Sequence, residues 1–464
     1  MKKTLTALLF VCLAVVLAYG GASYWVGGQA RKQHDLLIEQ INRSNYLDVS
    51  SKSYERGLFS SKALITVTLS QPESGDSIKF SIISYIHHGP FVFLQSPHIK
   101  GSLHSVLAVI RTRLVPEGCA DPLKKMLEKI PELESSEILT VISTDGSGES
   151  YFDVPAFRKT LSNDKGEQFE AEWGGFTANS KFDAPLGEVS GSYSAPSLQM
   201  TEKNQLLRIK DIQGDFNSHP GIKGISVGSA SLSIGNIEGT GKENASFKLI
   251  SLGLQAESGV SGQTINGSLR LGFDRLDIDG LGLGPLAMEF EMRNLDAEVL
   301  SRFQNLVPEL RKKAAGQAEA ANEAMETRFT EILLDLLAKS PEFEIKQLRI
   351  NTDRGDLIGR ARLVFAGPGK NLAGNILALL SSIDANAELS VSEALFFLVA
   401  ENALRDSSAP DPEAAVKKSA SELVKGLTAA KYMISEDGSF KSSATFKHGT
   451  LTVNGRKLDL SKLP

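Results

Sequence analysis

The chain has 464 residues, of which 41% are hydrophobic and 23% are charged, and its formal net charge at pH 7 is −5. This length allows two domains or one large domain, and the hydrophobic fraction is enough for a sizeable core. A negative net charge argues against a nucleic-acid partner, because phosphate binding needs a basic surface. Cys12 lies in an apolar N-terminal stretch and Cys119 lies alone outside it. We therefore expect no disulfide within the chain, and either a buried thiol or an intermolecular bridge at Cys119.

The first predicted element is a membrane-spanning helix. Residues 4–26 follow Lys2 and Lys3 and contain no charged residue. As a helix this stretch would rise about 34 Å, whereas the hydrocarbon core of a bilayer is about 30 Å thick. Tyr24 and Trp25 stand at its far end, where such rings favour the headgroup boundary. We expect a retained signal anchor. The alternative is a cleaved signal peptide, whose apolar region usually ends sooner.

The lysines next to the span favour a cytoplasmic tail and place the bulk of the chain outside the cytoplasm. The predicted divisions are a cytoplasmic tail at 1–3, the anchor at 4–26, a juxtamembrane helix at 27–50, a β-rich domain at 51–293, a long amphipathic helix at 294–340, and a C-terminal α+β part of the same sheet at 341–464.

Alternation of apolar and polar residues predicts β-strands through most of the chain. Residues 65–69, 78–86, 286–293 and 357–365 show this period of two. The apolar parity changes at Asp274-Arg275, which predicts a bulge there. Near the C-terminus, Asn454-Gly455 predicts a two-residue type I′ hairpin, because both residues tolerate a positive φ. Pairing across that turn would place Leu451 opposite Leu458.

Helical periodicity predicts three segments among the strands. The first begins at Asp121-Pro122, with Asp121 as its cap, and the third covers about 392–430 with a break near Pro410 and Pro412. The longest opens at Asp296 and repeats its apolar positions at about 3.6 residues. A continuous helix there would be about 64 Å long, although Pro308 and Gly316 are places where it could kink or divide. We expect an α+β fold, in which long amphipathic helices cover the apolar face of an elongated, curved, mainly antiparallel sheet.

Several short motifs carry a resemblance to a known family. Tyr54–Ser61 reads YERGLFSS, His88–Phe91 reads HGPF, Asn294–Asp296 precedes the long helix, and Gly449–Gly455 ends the pattern. With these motifs in this order, the chain resembles the YdgA-like proteins of bacterial envelopes. The resemblance implies a single-pass protein of the inner membrane of a Gram-negative bacterium, with its bulk in the periplasm, and it offers no active-site residues to carry over. In layout the chain is also similar to the AsmA-like envelope proteins, which are linked to lipid handling.

The candidate interaction residues come from the first two motifs: Tyr54, Arg56, Gly57, Phe59, His88 and Pro90. We expect them just above the membrane, where they would contact lipid headgroups or a partner chain. The plainer interpretation is that Tyr54–Ser61 forms the first turn of the sheet, since Gly and Ser are frequent in turns.

No catalytic, cofactor or metal site is predicted. Gly224–Gly228 fits the G-x-S-x-G pattern, but an alternating strand follows it, whereas a nucleophile elbow needs a helix. Four histidines lie between 87 and 104, but the adjacent His87 and His88 would point to opposite faces of a strand. No nearby Cys, Asp or Glu completes a metal set. Asp277–Gly280 lacks the end ligands of a calcium loop.

The sequence therefore predicts a non-enzymatic, membrane-anchored envelope protein that acts as a protein-interaction scaffold in the periplasm. Its partner would be a second copy of the chain or another envelope protein. The alternative is a periplasmic module that binds or shuttles a lipid or another hydrophobic ligand, and an enzyme is a distant alternative. A scaffold needs an exposed patch or sheet edge, and a lipid module needs apolar surface left uncovered.

Overall fold

A computed structural model describes residues 21–32, 34–36, 38–39, 42, 48–70, 77–89, 92–96, 99–104, 106–162, 166–184, 187–241, 245–278, 281–314, 322–365, 381–403 and 412–458. The tail at 1–3 and most of the anchor predicted at 4–26 lie outside these ranges. Among the described residues, none of the helices combines the length and the apolarity that crossing a bilayer requires.

Antiparallel β-sheet dominates the fold, as the sequence predicts, and a few helices accompany it. The helices are α1 (21–32, continuing through 34–36, 38–39 and 42), α2 (Asp121–Lys129), α3 (Ala297–Ala314), α4 (Asn322–Ala338), α5 (Glu393–Ala403) and α6 (Pro412–Ala429). The strands are β1 (Asp48–Arg56), β2 (Ser60–Ser70), β3 (Ser77–His88), β4 (Val92–Ser96), β5 (Ile99–His104), β6 (Ala108–Val115), β7 (Glu137–Ile142), β8 (Gly148–Val154), β9 (Phe157–Ser162), β10 (Gln168–Trp173), β11 (Phe176–Phe182), β12 (Val189–Glu202), β13 (Gln205–Pro220), β14 (Ser226–Thr240), β15 (Ser246–Ser261), β16 (Thr264–Phe273), β17 (Arg275–Ile278), β18 (Leu281–Asp296), β19 (Glu342–Thr352), β20 (Gly355–Phe365), β21 (Ile383–Ser392), β22 (Ile434–Glu436), β23 (Ser439–Lys447), β24 (Thr450–Val453) and β25 (Arg456–Leu458).

Two compact units divide the chain. The first consists of Met1–Lys203, Ile212–His219 and Leu306–Asn322, and the second of Asn204–Asp211, Pro220–Asn305 and Glu323–Pro464.

In the first unit, β1, β2, β3, β6, β7, β8, β11 and β12 pair in that order, all antiparallel. β12 also pairs with β10, which pairs with β9. The predicted alternation in β2 and β3 is confirmed, because Ile65 faces Ile82 across the ladder and Val67 faces Phe80. Ala30 of α1 is buried in the same cluster, so α1 covers this apolar face.

In the second unit, β14, β15, β16, β18, β19, β20, β21, β23, β24 and β25 follow one another as antiparallel neighbours. The prediction of a bulge at Asp274-Arg275 is wrong: the strand is interrupted there, but the register does not shift, because Gly253 pairs with Gly272 and Ile250 with Arg275. β16 ends at Phe273 and β17 begins at Arg275, and both pair with β15. The amide of Asp274 donates to the carbonyl of Ile250 at 3.0 Å, which keeps the ladder connected across the break.

The segment predicted as one long helix forms two helices that fold back on each other. Arg302 Nη1 lies 2.6 Å from Asp335 Oδ2, and the rings of Phe303 and Phe329 are 6.1 Å apart. A straight helix would separate positions 303 and 329 by about 39 Å. Residues 315–321, which include the predicted dividing residue Gly316, lie outside the described ranges. Leu300 of α3 and Leu336 of α4 pack against the same buried cluster, so both helices contact the sheet there, while Phe303 and Phe329 remain 38% and 40% exposed.

The third predicted helical segment is also a helix pair, in which α5 ends at Ala403 and α6 begins at Pro412; Pro410, at the predicted break, lies outside the described residues. α5 and α6 cover the sheet through a core in which Val391, Leu395 and Phe440 are buried. The ring of Phe440 lies 5.2 Å from the ring of Phe396. These helices therefore pack on the apolar side chains at one end of β20, β21 and β23 and shield them from solvent.

Two local predictions have different outcomes. The type I′ hairpin is confirmed, with φ of 46° at Asn454 and 79° at Gly455 and with Leu451 opposite Leu458. The predicted cap of α2 is wrong, because the capping position is Ala120 and Asp121 lies in the first turn of the helix. A carboxylate in the first turn still favours the helix through the helix dipole.

A group of charged side chains crosses β18, β19 and β20 in the second unit. The carboxylate of Glu342, which is 8% exposed, accepts a hydrogen bond from Arg362 Nε at 2.5 Å and another from Arg293. These hydrogen bonds, that of Arg362 first, lower the pKa of Glu342 from 4.5 to about 2. The charged form is therefore favoured in the folded state.

The acid dependence of stability follows from this pKa. Above about pH 4.5 both folded and unfolded chains carry the Glu342 charge, and its stabilising contribution is complete. As the pH falls from 4.5 to about 2, the unfolded chain takes up a proton that the folded chain resists, and the contribution is lost. We expect Glu342→Gln to reduce the slope of stability against pH in this window, as measured by urea unfolding. Equal slopes in the two proteins would contradict the prediction.

Candidate functional site

The first two sequence motifs meet at one end of the first sheet. Tyr54–Ser61 spans the end of β1, a tight turn and the start of β2, and the Gly57 amide closes the turn by donating to the Ser60 carbonyl at 2.8 Å. A Cβ at position 57 would lie 2.6 Å from that carbonyl oxygen, so only glycine fits without a shift. The amide of His88, at the end of β3, donates to the carbonyl of Phe59 at 3.0 Å. The turn interpretation is thus consistent with this geometry.

His88 is the buried polar centre of this end of the sheet. Its side chain is 2% exposed, and its Nε2 lies 3.0 Å from the hydroxyl of Ser61, which is also buried. Burial lowers the pKa of His88 from 6.5, and the positive charge of Arg56 lowers it further, while the backbone of Ser23 and of Ser60 acts in the opposite direction. The neutral imidazole is therefore the favoured form.

Helix α1 lies directly over His88. A Cβ at Gly27 would lie 2.5 Å from His88 Cε1, and a Cβ at Gly28 would lie 3.3 Å from the guanidinium of Arg56. Ser23, one turn earlier, is completely buried. Because glycine has no side chain, the helix backbone can approach the imidazole closely, and larger residues at position 27 would hold the helix away.

Arg56 joins the turn to α1 from the side. Its Nη2 donates to the carbonyl of Tyr24, and its guanidinium lies 4.0 Å from the centre of the Tyr24 ring. Tyr54 makes a second set of contacts, with its ring 5.1 Å from the ring of His34 and 5.5 Å from the guanidinium of Arg31. A planar guanidinium can stack on a ring and donate to a carbonyl at once, which lysine cannot do.

Large apolar side chains remain exposed beside these contacts. We call Tyr24, Trp25, Leu58 and Phe59 the apolar tip; their exposed fractions are 59%, 63%, 48% and 49%. Tyr24 and Trp25 belong to α1, and Leu58 and Phe59 belong to the turn between β1 and β2. Exposed apolar surface of this kind, next to a positively charged group, is typical of sites that contact a membrane or another protein.

Five of the six candidate residues, all except Pro90, come together at this junction. Pro90 lies outside the described residues. Sequence reasoning missed Gly27 and Ser61 as partners of His88, although two consecutive glycines directly after an apolar run are a signal of close packing. His87 is exposed and His88 is buried, in agreement with opposite faces of β3. In the part of the chain that the structure describes, no cluster of three side chains is arranged to hold a metal ion.

Neutral His88 makes the contact between α1 and the sheet sensitive to acid. Above pH 6.5 the side chain of His88 is neutral in both the folded and the unfolded chain, so stability does not depend on pH through this group. Below pH 6.5 the unfolded chain takes up a proton that buried His88 resists, so stability decreases until the lowered pKa is passed. We expect His88→Gln to reduce this pH slope in urea unfolding, and His87→Gln, on the exposed face, to retain it. Equal slopes in the His88→Gln protein and the wild type would contradict the prediction.

Comparison with known proteins assigns a family. The chain belongs to a family described as "Bacterial protein of unknown function (DUF945)", which matches residues 1–461. No curated protein and no solved structure matches the chain significantly. The matched region includes the junction of α1 with the sheet and the C-terminal hairpin.

Proposed function

We propose that the protein is a YdgA-like, single-pass protein of the bacterial inner membrane whose bulk lies in the periplasm and acts there as a non-enzymatic scaffold for other proteins. The observation that carries this proposal is the fit of α1 against His88, Ser61 and Arg56. The described part of α1, from residue 21, overlaps the last six residues of the predicted span, so a helix embedded in a membrane would hold the first sheet in a fixed orientation.

The same fit favours a scaffold over an enzyme. Ser61 and His88 form the one pairing at the junction that could be compared with a nucleophile and its base. Both side chains are buried, at 4% and 2% exposure, beneath the backbone of α1. A substrate would have to displace the helix to reach them, whereas a structural contact needs this burial. The pair therefore fits a role in attaching the helix.

Membrane topology is the first requirement of the proposal. Thr144 is exposed in the turn between β7 and β8. In a protein whose two cysteines are replaced by serine, Thr144→Cys should react with a membrane-impermeant maleimide in intact spheroplasts. The protein should also stay with membranes after a carbonate wash. Labelling only after lysis would overturn the orientation, and release by carbonate would overturn the anchor.

Ile358, Leu389 and Ile434 form a surface for the scaffold role in the second unit. They are 43%, 44% and 49% exposed, and they line one open cleft together with charged side chains of Arg360, Glu388 and Lys441. An exposed apolar centre with a charged rim is characteristic of protein-binding surfaces. We propose that an envelope protein or a second copy of the chain binds at this cleft.

A lipid or hydrophobic ligand is the second candidate, because Ile434 also lines a larger cleft. That cleft, about 720 Å³, lies between α5, α6 and β23. Its lining includes the apolar side chains of Phe397, Val424, Met433 and Phe440 and the charged side chains of Lys431 and Glu393. This volume lies within the range of about 300–1,000 Å³ found for small-molecule sites. A cleft of this size with an apolar lining would suit a hydrophobic ligand.

One photo-crosslinking experiment separates the two roles. A photoreactive residue at Ile434 should give a product with the mass of a second protein if the scaffold proposal holds, with a doubled chain mass indicating a homodimer. A product that carries only lipid mass would favour the ligand-binding role and overturn the scaffold. The same probe at Lys457, an exposed polar position of β25, is the control and should give neither product.

A further inference from the structure

We infer that the apolar tip enters the headgroup layer of the membrane that holds α1 and forms a second membrane contact beside the helix. This inference rests on the proposed anchoring of the chain. It adds that the β1–β2 turn, and not only the N-terminal helix, binds lipid.

The position of the sheet along α1 gives the first reason. The predicted span ends at residue 26, yet Ser23, Val26 and Ala30 are already buried, at 0%, 8% and 6% exposure. Ser23 and Val26 are separated by a rise of only about 4.5 Å along a helix. The end of the sheet therefore reaches the last turn of the predicted span. Any side chain that projects from this end lies at the boundary between hydrocarbon and headgroups.

The direction of exposure gives the second reason. Tyr24 and Trp25 turn away from the face of α1 that packs on the sheet, because Ser23 and Val26 occupy that face. Leu58 and Phe59 are the central residues of a turn whose backbone is fixed by the Gly57 and His88 hydrogen bonds. A rigid turn that presents two apolar side chains loses little conformational freedom when it enters an apolar layer.

The chemistry of the tip matches the headgroup layer. Tyrosine and tryptophan favour this layer because their rings are apolar at one end and polar at the other. Arg56 stacks on Tyr24 and donates one hydrogen bond to its carbonyl. A guanidinium has five N–H donors, so several remain for phosphate oxygens. An arginine can also bury its hydrocarbon stem while its charged end stays in the polar layer.

A protein partner is a less suitable occupant of this surface. If α1 is embedded as proposed, lipid headgroups already surround the last turn of the helix, and a partner would have to displace them to reach Leu58 and Phe59. Lipid needs no such displacement. We therefore assign the tip to the bilayer, and contact with a protein becomes an outcome that the experiment can detect.

The test measures the depth of a single environment-sensitive fluorophore in the full-length chain. The chain, with both cysteines replaced by serine, is reconstituted in vesicles of phosphatidylethanolamine and phosphatidylglycerol. The label is attached to Leu58→Cys or to Ile78→Cys. Ile78 is a matched control, because it is an apolar residue of the same sheet with 38% exposure. It lies ten positions before His88 in β3, or about 33 Å from the tip.

The Leu58 probe should show a blue-shifted emission and be quenched by lipids that carry a nitroxide near the headgroup. The Ile78 probe should keep the emission of a water-exposed dye and resist the quencher. A Leu58 probe that behaves like the Ile78 probe would overturn the inference, as would a blue shift without lipid quenching, which indicates contact with protein. If the chain fails to float with the vesicles, the proposed anchor fails instead, so the two failures are distinguishable.

Discussion

Replacing Gly27 by alanine should destabilise the first unit by about 1–3 kcal/mol, the usual cost of overpacking a buried site. The added Cβ would lie 2.5 Å from His88 Cε1, and His88 has little freedom to move because it is buried and hydrogen-bonded to Ser61. Helix propensity alone would change stability in the opposite direction, since alanine is favoured over glycine in a helix by about 1 kcal/mol. The free energy of urea unfolding and the amide exchange of α1 would measure it.

Gly426→Ala is the matched control for this substitution. Gly426 lies in α6, and a Cβ there meets no atom within 4 Å. The same change should therefore stabilise the chain by up to about 1 kcal/mol through helix propensity. Opposite signs at the two positions would show that contact with His88 decides the result at Gly27. A Gly27→Ala protein as stable as the wild type would contradict the close packing of α1.

Replacing Phe440 by alanine should destabilise the second unit by about 3–5 kcal/mol, as for other fully buried aromatic residues. Phe440 is 4% exposed and contacts the rings of Phe396 and Phe397 at 5.2 and 6.1 Å. Its removal leaves a cavity where α5 meets β23, and we expect α5 to exchange its amide hydrogens faster than α4 does. Calorimetry, with hydrogen exchange to identify the affected elements, would measure this change.

Phe247→Ala is the control for the loss of an aromatic ring. Phe247 is in the same unit, but it is 41% exposed. Its replacement should cost only about 0.5–1 kcal/mol, near the low end for point substitutions. Equal losses at the two positions would contradict the buried core that we assign to α5, α6 and β23.

Local sequence patterns predict the elements that depend on a few neighbouring residues. The Asn454-Gly455 turn is an example, because positive φ at two adjacent positions selects one hairpin type and one register. At Asp274 the change of apolar parity correctly marks where the strand is interrupted, but the predicted extra residue is absent, since the register against β15 does not shift. The start of α6 at Pro412 is another example, because proline is tolerated in the first turn of a helix but not in its interior.

Contacts between distant residues were beyond these patterns. The stripe of α3 and α4 has one helical period throughout, so it does not show that Phe303 and Phe329 face each other. At the junction, the motifs predicted Tyr54, Arg56, Gly57, Phe59 and His88 as a group. The partners Gly27 and Ser61 depend on how α1 lies on the sheet, which periodicity does not specify.

The order of strands in the second unit bears on how this protein acquires its fold. From β14 to β21 each strand pairs with a strand close to it in the sequence, and the paired helices α3 and α4 form an insertion between β18 and β19. Low sequence separation between partners favours rapid folding. A chain that emerges gradually during synthesis could therefore add one strand at a time to a growing edge. Whenever chain emergence pauses, only the strand at the growing edge would lack a pairing partner and be exposed to aggregation. A chaperone would therefore need to protect only that strand.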